Sequence, residues 1–329
     1  MRNRPKPLET AGLRTVKLSE RPSQVSIRQF CTPCSPEARL SEFLDALPDV
    51  LAARDLRELG KLIASAGRGG KEILVMCGGH VVKTGLTPLI IRLMRQGLVT
   101  AVAVNGAVAV HDAEIAMIGA TSEDVASSLD EGMFGVARET AEVLNRAAEW
   151  AWKEQRGLGE GLGHVLHEMR VPHGEQSLLL QAHDMGRPVT VHVALGTDVV
   201  HQHPTASGEA IGHASLFDFR LLAGVVSKLE GGVVVNIGSA VVLPEVFVKA
   251  LNLARNLGHT VQRFTAADFD FIRQYRPGVN VVGRPTSQGG RGFSLTGHHE
   301  LLIPLLYASV MVAFAQHDRD DGTVPNATQ

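Results

Sequence analysis

At 329 residues the chain has room for one large α/β domain or two smaller ones, either with an ample core. Its 32 basic and 34 acidic residues are well mixed and leave a formal charge of −2, which argues against nucleic acid or a membrane surface as a partner. Three cysteines make no disulfide framework, and the basic residues 1–6 lead into no apolar signal core. With no apolar run read as reaching the roughly 18–20 residues of a membrane span, the expected place is the cytoplasm.

Residues 1–30 are rich in Arg, Lys, Pro and Ser and are expected to form an extended polar arm. A single α/β domain is then expected over residues 31–316, with a loose polar tail at 317–329. Cys31-Thr32-Pro33-Cys34 opens the domain, and Ser35 and Pro36 after it look like a helix start. No second cysteine pair exists for zinc, and no core strand precedes the motif as a redox pair requires, so the two cysteines read as incidental.

Residues 38–66 carry apolar side chains at helical spacing, interrupted by Pro48 and ended by Gly67 to Gly70. Strands are expected at 73–77 and 101–104, each followed by a helix, at 86–95 and 108–118. A further amphipathic helix is expected over 135–155, and the glycine-punctuated stretch 157–186 reads as short helices. The strand pattern resumes at 190–195, and a helix follows at 217–229. Val233 to Ile237 is almost pure Val, as suits a strand buried on both faces. A helix at 244–257, strands at 260–264 and 279–282 and a long apolar helix at 300–315 complete the chain. Strands alternating with helices predict a doubly wound, mostly parallel Rossmann-like sheet.

Nearly every expected strand ends in a small, polar or histidine-bearing turn. These are Cys77-Gly78-Gly79-His80, Asn105-Gly106-Ala107, Gly196-Thr197-Asp198 leading to His201-Gln202-His203, Asn236-Ile237-Gly238-Ser239-Ala240, and the stretch from Gly283 to Gly292. In such a sheet these turns share the carboxyl edge, where ligands bind. Gly238, Ser239 and Ala240 precede a helix and can bring backbone amides to a phosphate, and Gly78 and Gly79 make the same offer. Asp198 stands where a carboxylate binds ribose hydroxyls. A nucleotide-sized ligand is implied.

The histidines offer a second reading. His201, His203, Asp112 and His298, with His111 and His80 nearby, could hold a divalent ion, although none matches an established metal signature. His164, His167, His173, His183, His192, His259 and His317 have no such placement and read as ordinary.

From about residue 73 to 316 these motifs resemble the deoxyhypusine synthase family, whose members use NAD to move an aminobutyl group from spermidine onto a protein lysine. Cys77 to Gly85 is similar to the family's Thr-Ser-Asn turn, with His80 at the asparagine. Asn105-Gly106-Ala107 resembles its Thr-Ala-Gly turn, and Asp112 falls near its glutamate. Ala194 to Asp198 looks like the strand end whose aspartate binds NAD ribose. Ile237 to Val242 looks like the turn at the dinucleotide, and Ile303 to Gln316 resembles the closing helix.

The departures fall on the family's chemistry. Leu243-Pro244-Glu245 stands where the family has Lys-His-His, and His203 falls at a spermidine-site aspartate. Residues 283–297 contain no lysine, so the amine that a Schiff-base transfer needs is missing.

The resemblance therefore implies NAD held by Gly78, Gly79, His80, Asn105, Gly106, Asp198, Gly238, Ser239, Ala240 and His298. It also implies a small amine or alcohol as substrate, with His203, His111, His201 and Asp112 as catalytic candidates. A homodimer or homotetramer with sites between subunits is the expected assembly. A metal-assisted hydrolase and a non-catalytic ligand-binding relative are the alternatives.

Overall fold

The computed structural model describes residues 6–320. After an arm exposed throughout residues 6–28, helices α1 (Leu40–Ala46) and α2 (Leu51–Arg68) lead into β1 (Ile73–Cys77). Next come α3 (His80–Lys83), α4 (Thr87–Arg95), β2 (Ala101–Asn105) and α5 (Gly106–Ile118). Four helices separate β2 from β3: α6 (Val125–Asp130), α7 (Arg138–Lys153), α8 (Leu158–Met169) and α9 (Leu178–Asp184). Then follow β3 (Val189–His192), α10 (Gly208–Val226), β4 (Val233–Ile237), α11 (Val242–Asn256) and β5 (Thr265–Asp270). Single turns α12 (Tyr275–Pro277) and α13 (Arg284–Thr286) flank a π-helical turn, Gly278–Gly283. The chain then reaches β6 (Arg291–Thr296) and α14 (His299–Asp320).

The six strands form one wholly parallel sheet in the order β3-β2-β1-β4-β5-β6. This is the doubly wound Rossmann order, and it reverses between β1 and β4. Both faces are covered. Ile73, Val75 and Cys77 of β1 pack with α2, α4, α5 and α14 on one side, while Leu74 and Met76 pack with α10 and α11 on the other. Burial on alternate faces explains why these strands read as unbroken apolar runs.

Two strands lie elsewhere than the sequence pattern places them. The fifth is Thr265–Asp270, not 260–264, and the β-branched run 279–282 is part of the π-helical turn, the sixth strand being Arg291–Thr296. Thr-Ala-Ala-Asp-Phe-Asp has little strand propensity, yet all six residues are buried in the sheet, where tertiary context overrides propensity. Helix α10 also begins earlier than expected, at Gly208, because Ser207 caps it by accepting from the Ala210 N–H at 3.2 Å.

Helix α14 reaches beyond the expected 315, to Asp320. Over His299–Gln316 its mean hydropathy is 1.4, so by length and composition it could cross a bilayer, contrary to the expectation that no such run exists. In the fold it lies along α2 with Ile303, Leu306 and Val310 in the core. Cys31 and Cys34 are exposed and unbonded, and Cys77 is buried, its thiol pushed up to about 12 by burial and by the nearby Asp112 carboxylate.

Candidate functional site

The carboxyl edge gathers most of the turns singled out in the sequence. At the reversal point, the Gly78 N–H donates to the Ile237 carbonyl at 2.9 Å and the Gly238 N–H to the Phe269 carbonyl at 2.9 Å, carrying the ladder one residue past the strands. Gly238 is left-handed (φ 65°), a conformation that suits glycine. Ser239 is buried and its Oγ accepts from the Leu243 N–H at 3.3 Å, capping α11, with Ala240 beside it.

Sequence reasoning chose His298 from the pair His298-His299, and the structure favours its neighbour. His298 is exposed with Nδ1 3.7 Å from Glu300, whereas buried His299 donates from Nε2 to the Phe269 carbonyl at 3.1 Å. The His299 ring lies edge-on to the exposed His80, 5.7 Å between centroids.

The second part of the site lies where β2 and β3 end. Asn105 caps α5, its Oδ1 accepting from the Val108 N–H at 3.1 Å. The absence of a side chain at Gly106 admits the carboxylate of Asp198: a Cβ there would lie 1.8 Å from Asp198 Oδ2. His201 Nδ1 accepts from the N–H groups of Gly196 (3.1 Å) and Asp198 (3.3 Å). The ring proton therefore sits on Nε2, which faces Asp198 Oδ2 from 3.9 Å. Oδ2 itself is buried and has no hydrogen-bond partner among the described residues. Burial raises the Asp198 carboxyl above the usual range, and His201 opposes that shift.

Asp198 and His111 line one cavity of about 280 Å³, with Lys83, Glu114, Glu123, Phe134 and Thr197 around it. Thr121 donates its hydroxyl to Glu114 Oε2 at 2.5 Å, so it accepts from His111 Nδ1 at 2.8 Å. Nε2 of His111 is thereby left with its lone pair, and its Cδ2 edge comes near Gly79. Burial would raise the Glu114 carboxyl, but the nearby His111 and the hydrogen bonds from Thr121 and Thr140 outweigh it and hold the group below the usual range.

The array is a histidine backed through a threonine by a carboxylate. It can take up a proton at Nε2 and stabilise the resulting imidazolium. Glu114 was missed from the sequence, although its position three residues after His111 on one helix is a readable signal.

Asp112 does not belong to this array. One residue after His111, it points into the core and accepts from Ser177 Oγ (2.6 Å), Leu178 N–H (2.7 Å) and Leu179 N–H (3.1 Å), capping the start of α9. Burial pushes its carboxyl up to about 6 against those three bonds. It is fully buried, so neither a catalytic nor a metal-ligating role is open to it. His203 is also engaged elsewhere: its Nδ1 meets Thr205 Oγ1 at 2.8 Å, and Thr205 accepts from Asn145 at 2.9 Å, which fixes the loop. With Asp112 in the core and His298 outside, the set His201, His203, Asp112 and His298 does not assemble as a metal centre.

Asn236 and Asp268 were also missed. Asn236 is buried at the end of β4 and donates to Asp268 Oδ1 (2.8 Å) and to the Ser239 carbonyl (3.0 Å). Asp268 is pushed up to about 6, chiefly by burial, with the Asn236 bond opposing. Asp270, at the end of β5, accepts from its neighbour Phe271 N–H at 2.8 Å. The misplaced fifth strand hid both aspartates from the sequence reading.

No family model matches this sequence, and no curated protein matches it either. Solved structures do. AgrE, in its ternary complex with ornithine and NAD+, superposes with a TM-score of 0.52 at 14% identity, covering 81% of this chain and 34% of AgrE. The likeness is one of fold alone. A conserved LOR/SDH protein of Methanococcus maripaludis S2, itself only provisionally assigned, gives a TM-score of 0.50 at 13% identity over 84% of this chain and 71% of that one. A deoxyhypusine synthase assigned in the same provisional way, from Entamoeba histolytica, gives 0.49 at 10% identity over 84% of this chain and 94% of that one. The chain thus spans about a third of the length of AgrE.

Proposed function

We propose that this chain is an NAD-dependent enzyme acting on a small amine or alcohol in the cavity between α5 and the loop after β3. The observation that carries this reading is that Asp198 and His111 line one cavity, Asp198 with a buried oxygen that lacks a donor. That oxygen suits a ribose hydroxyl, and the glycine turns of β1 and β4 stand at the reversal point where dinucleotides bind. AgrE, a structure of similar fold, has been solved with NAD+.

Asp198 and the turns at Gly78 and Gly238 would hold NAD, which supplies a hydride acceptor when bound. His111 Nε2 takes the substrate proton, Thr121 fixes the ring's tautomer, and Glu114 balances the charge the ring gains. Three carboxylates against Lys83 alone favour a cationic substrate, hence an amine ahead of an alcohol. Aminobutyl transfer to a lysine is not part of the proposal, because residues 283–297 offer no nucleophilic amine.

The chain is further proposed to form a homodimer or homotetramer in the cytoplasm. Exposed apolar side chains along the arm, including Val16, Ile27 and Phe30, support association.

Calorimetric titration of untagged, chelator-treated protein with NAD tests the reading. Saturable binding that weakens about tenfold or more in Asp198→Ala is expected, a loss typical of a charge-assisted hydrogen bond. Absence of binding to the wild-type protein sinks the proposal.

A further inference from the structure

We propose that His167, His183 and Asp184 form a binding site for a divalent transition-metal ion of the zinc class, at the edge of the sheet opposite the cavity. His183 and Asp184 end α9, which leads directly into β3 at Val189. Because β3 runs toward the cavity, its first residue and the end of α9 lie at the amino edge. None of these three residues borders the cavity that holds His111 and Asp198.

Local packing brings the donors together. Gly163 lets α9 settle directly onto α8, since a Cβ there would lie 2.4 Å from His183 Cβ. His167, one helical turn after Gly163, then stands beside His183. His167 Nδ1 is 2.9 Å and His183 Nδ1 3.3 Å from the same oxygen, Asp184 Oδ1. All three donor atoms lie within 4.8 Å of one another, and no other set of three such side chains among the described residues does so.

Zinc bonds of about 2.0–2.1 Å at tetrahedral angles put donors about 3.3–3.4 Å apart, so the two nitrogen–oxygen sides of the triangle need little adjustment. Two imidazoles and one carboxylate, with water in the fourth place, make a donor set that suits zinc.

The proton balance is simple. Without the ion, each neutral imidazole donates its Nδ1 proton to Asp184. With it, that proton resides on Nε2 after exchange with solvent, and the Nδ1 lone pair binds the metal. His164 is occupied otherwise, stacked on Trp150 at 4.2 Å and paired with Glu168 at 3.3 Å. The ion would tie the last turn of α8 to the last turn of α9, the helix whose first turn is held by Asp112. Its role is that of a clamp, independent of the proposed NAD chemistry.

The untagged full-length protein, stripped with chelator, is titrated with zinc chloride by calorimetry and with cobalt chloride by visible absorption. One equivalent bound is expected, with the intense bands of tetrahedral cobalt. Affinity falls about tenfold or more in His183→Ala and in His167→Gln and is unchanged in His203→Ala. The side chain of His167 is 62% exposed, so His167→Gln keeps the fold, which circular dichroism in the absence of metal verifies. No uptake by the wild type, or uptake that both variants retain undiminished, overturns the site. NAD titration of the same stripped samples reads the functional proposal separately.

Discussion

Gly78 and Gly238 touch through their backbones: a Cβ added to Gly78 would stand 2.2 Å from the Gly238 carbonyl oxygen. Neither strand-end turn can retreat, because both are held by ladder hydrogen bonds. Gly78→Ala is therefore expected to cost about 2–4 kcal/mol in urea unfolding. Gly224→Ala, on an exposed turn of α10 with nothing near its would-be Cβ, is expected to gain about 1 kcal/mol. Equal effects from the two substitutions would show that the turns do not abut.

His111→Gln keeps much of the size and polarity of the side chain but cannot carry a proton. The rate of NADH formation with small amines, followed by absorbance, is expected to drop about 100-fold or more, with NAD affinity within twofold of wild type. Glu114→Gln removes the countercharge and should give a smaller loss with an altered pH profile. Retention of full rate in His111→Gln would remove it from the chemistry.

Asp112 is expected to matter for stability and not for ligand binding. Asp112→Ala leaves Ser177 and two backbone N–H groups at the start of α9 without their acceptor, a loss of about 2–4 kcal/mol in chemical denaturation. NAD titration of the folded variant should match the wild type. A variant of unchanged stability that fails to bind NAD would return Asp112 to the site.

Asp218 supplies a pH test. It is buried on α10, with Oδ2 accepting from Gly159 N–H (2.9 Å) and Val191 N–H (2.8 Å) while Oδ1 has no partner among the described residues. Burial pushes its carboxyl up to about 8, against the backbone bonds that favour the charged form. Between the unfolded value near 4 and about 8, the folded chain binds the extra proton. Asp218's contribution is therefore full below pH 4 and is lost as the pH rises toward 8. Scanning calorimetry should show Tm falling from pH 5 to pH 8 in the wild type, and falling less in Asp218→Asn. Parallel curves would refute the assignment.

Much of the fold was legible because burial on both faces writes itself plainly into Ile73–Cys77 and Val233–Ile237. The fifth strand was not, because Ala and Asp prefer other structures and only the sheet around them makes Thr265–Asp270 extended. The candidate site was legible to the extent that strand ends announce themselves: Asp198, Asn105 and the turns at Gly78 and Gly238 do converge on one edge, whereas the stretch from Gly283 to Gly292, expected there too, leads into the start of β6 at the opposite edge. Which face of a helix a side chain takes was harder to read. His111 and Asp112 are adjacent in sequence and diverge in space, and their residue types are equally suited to catalysis. The grouping of His167, His183 and Asp184 depends on two helices meeting at Gly163, a tertiary event with no local pattern.

Helix α5 gives the cavity one wall whose rear is anchored in the protein's interior through Asp112. The opposite wall comes from residues 122–137, a connection in which Ser122, Glu123, Val125 and Phe134 border the cavity and none is fully buried. Evolution and engineering thus face unequal freedom at this site. Under the proposed function the anchored wall fixes the proton chemistry, whereas the outer connection can be rewritten residue by residue to admit different molecules. Relatives that share the reaction but differ in diet should diverge first there.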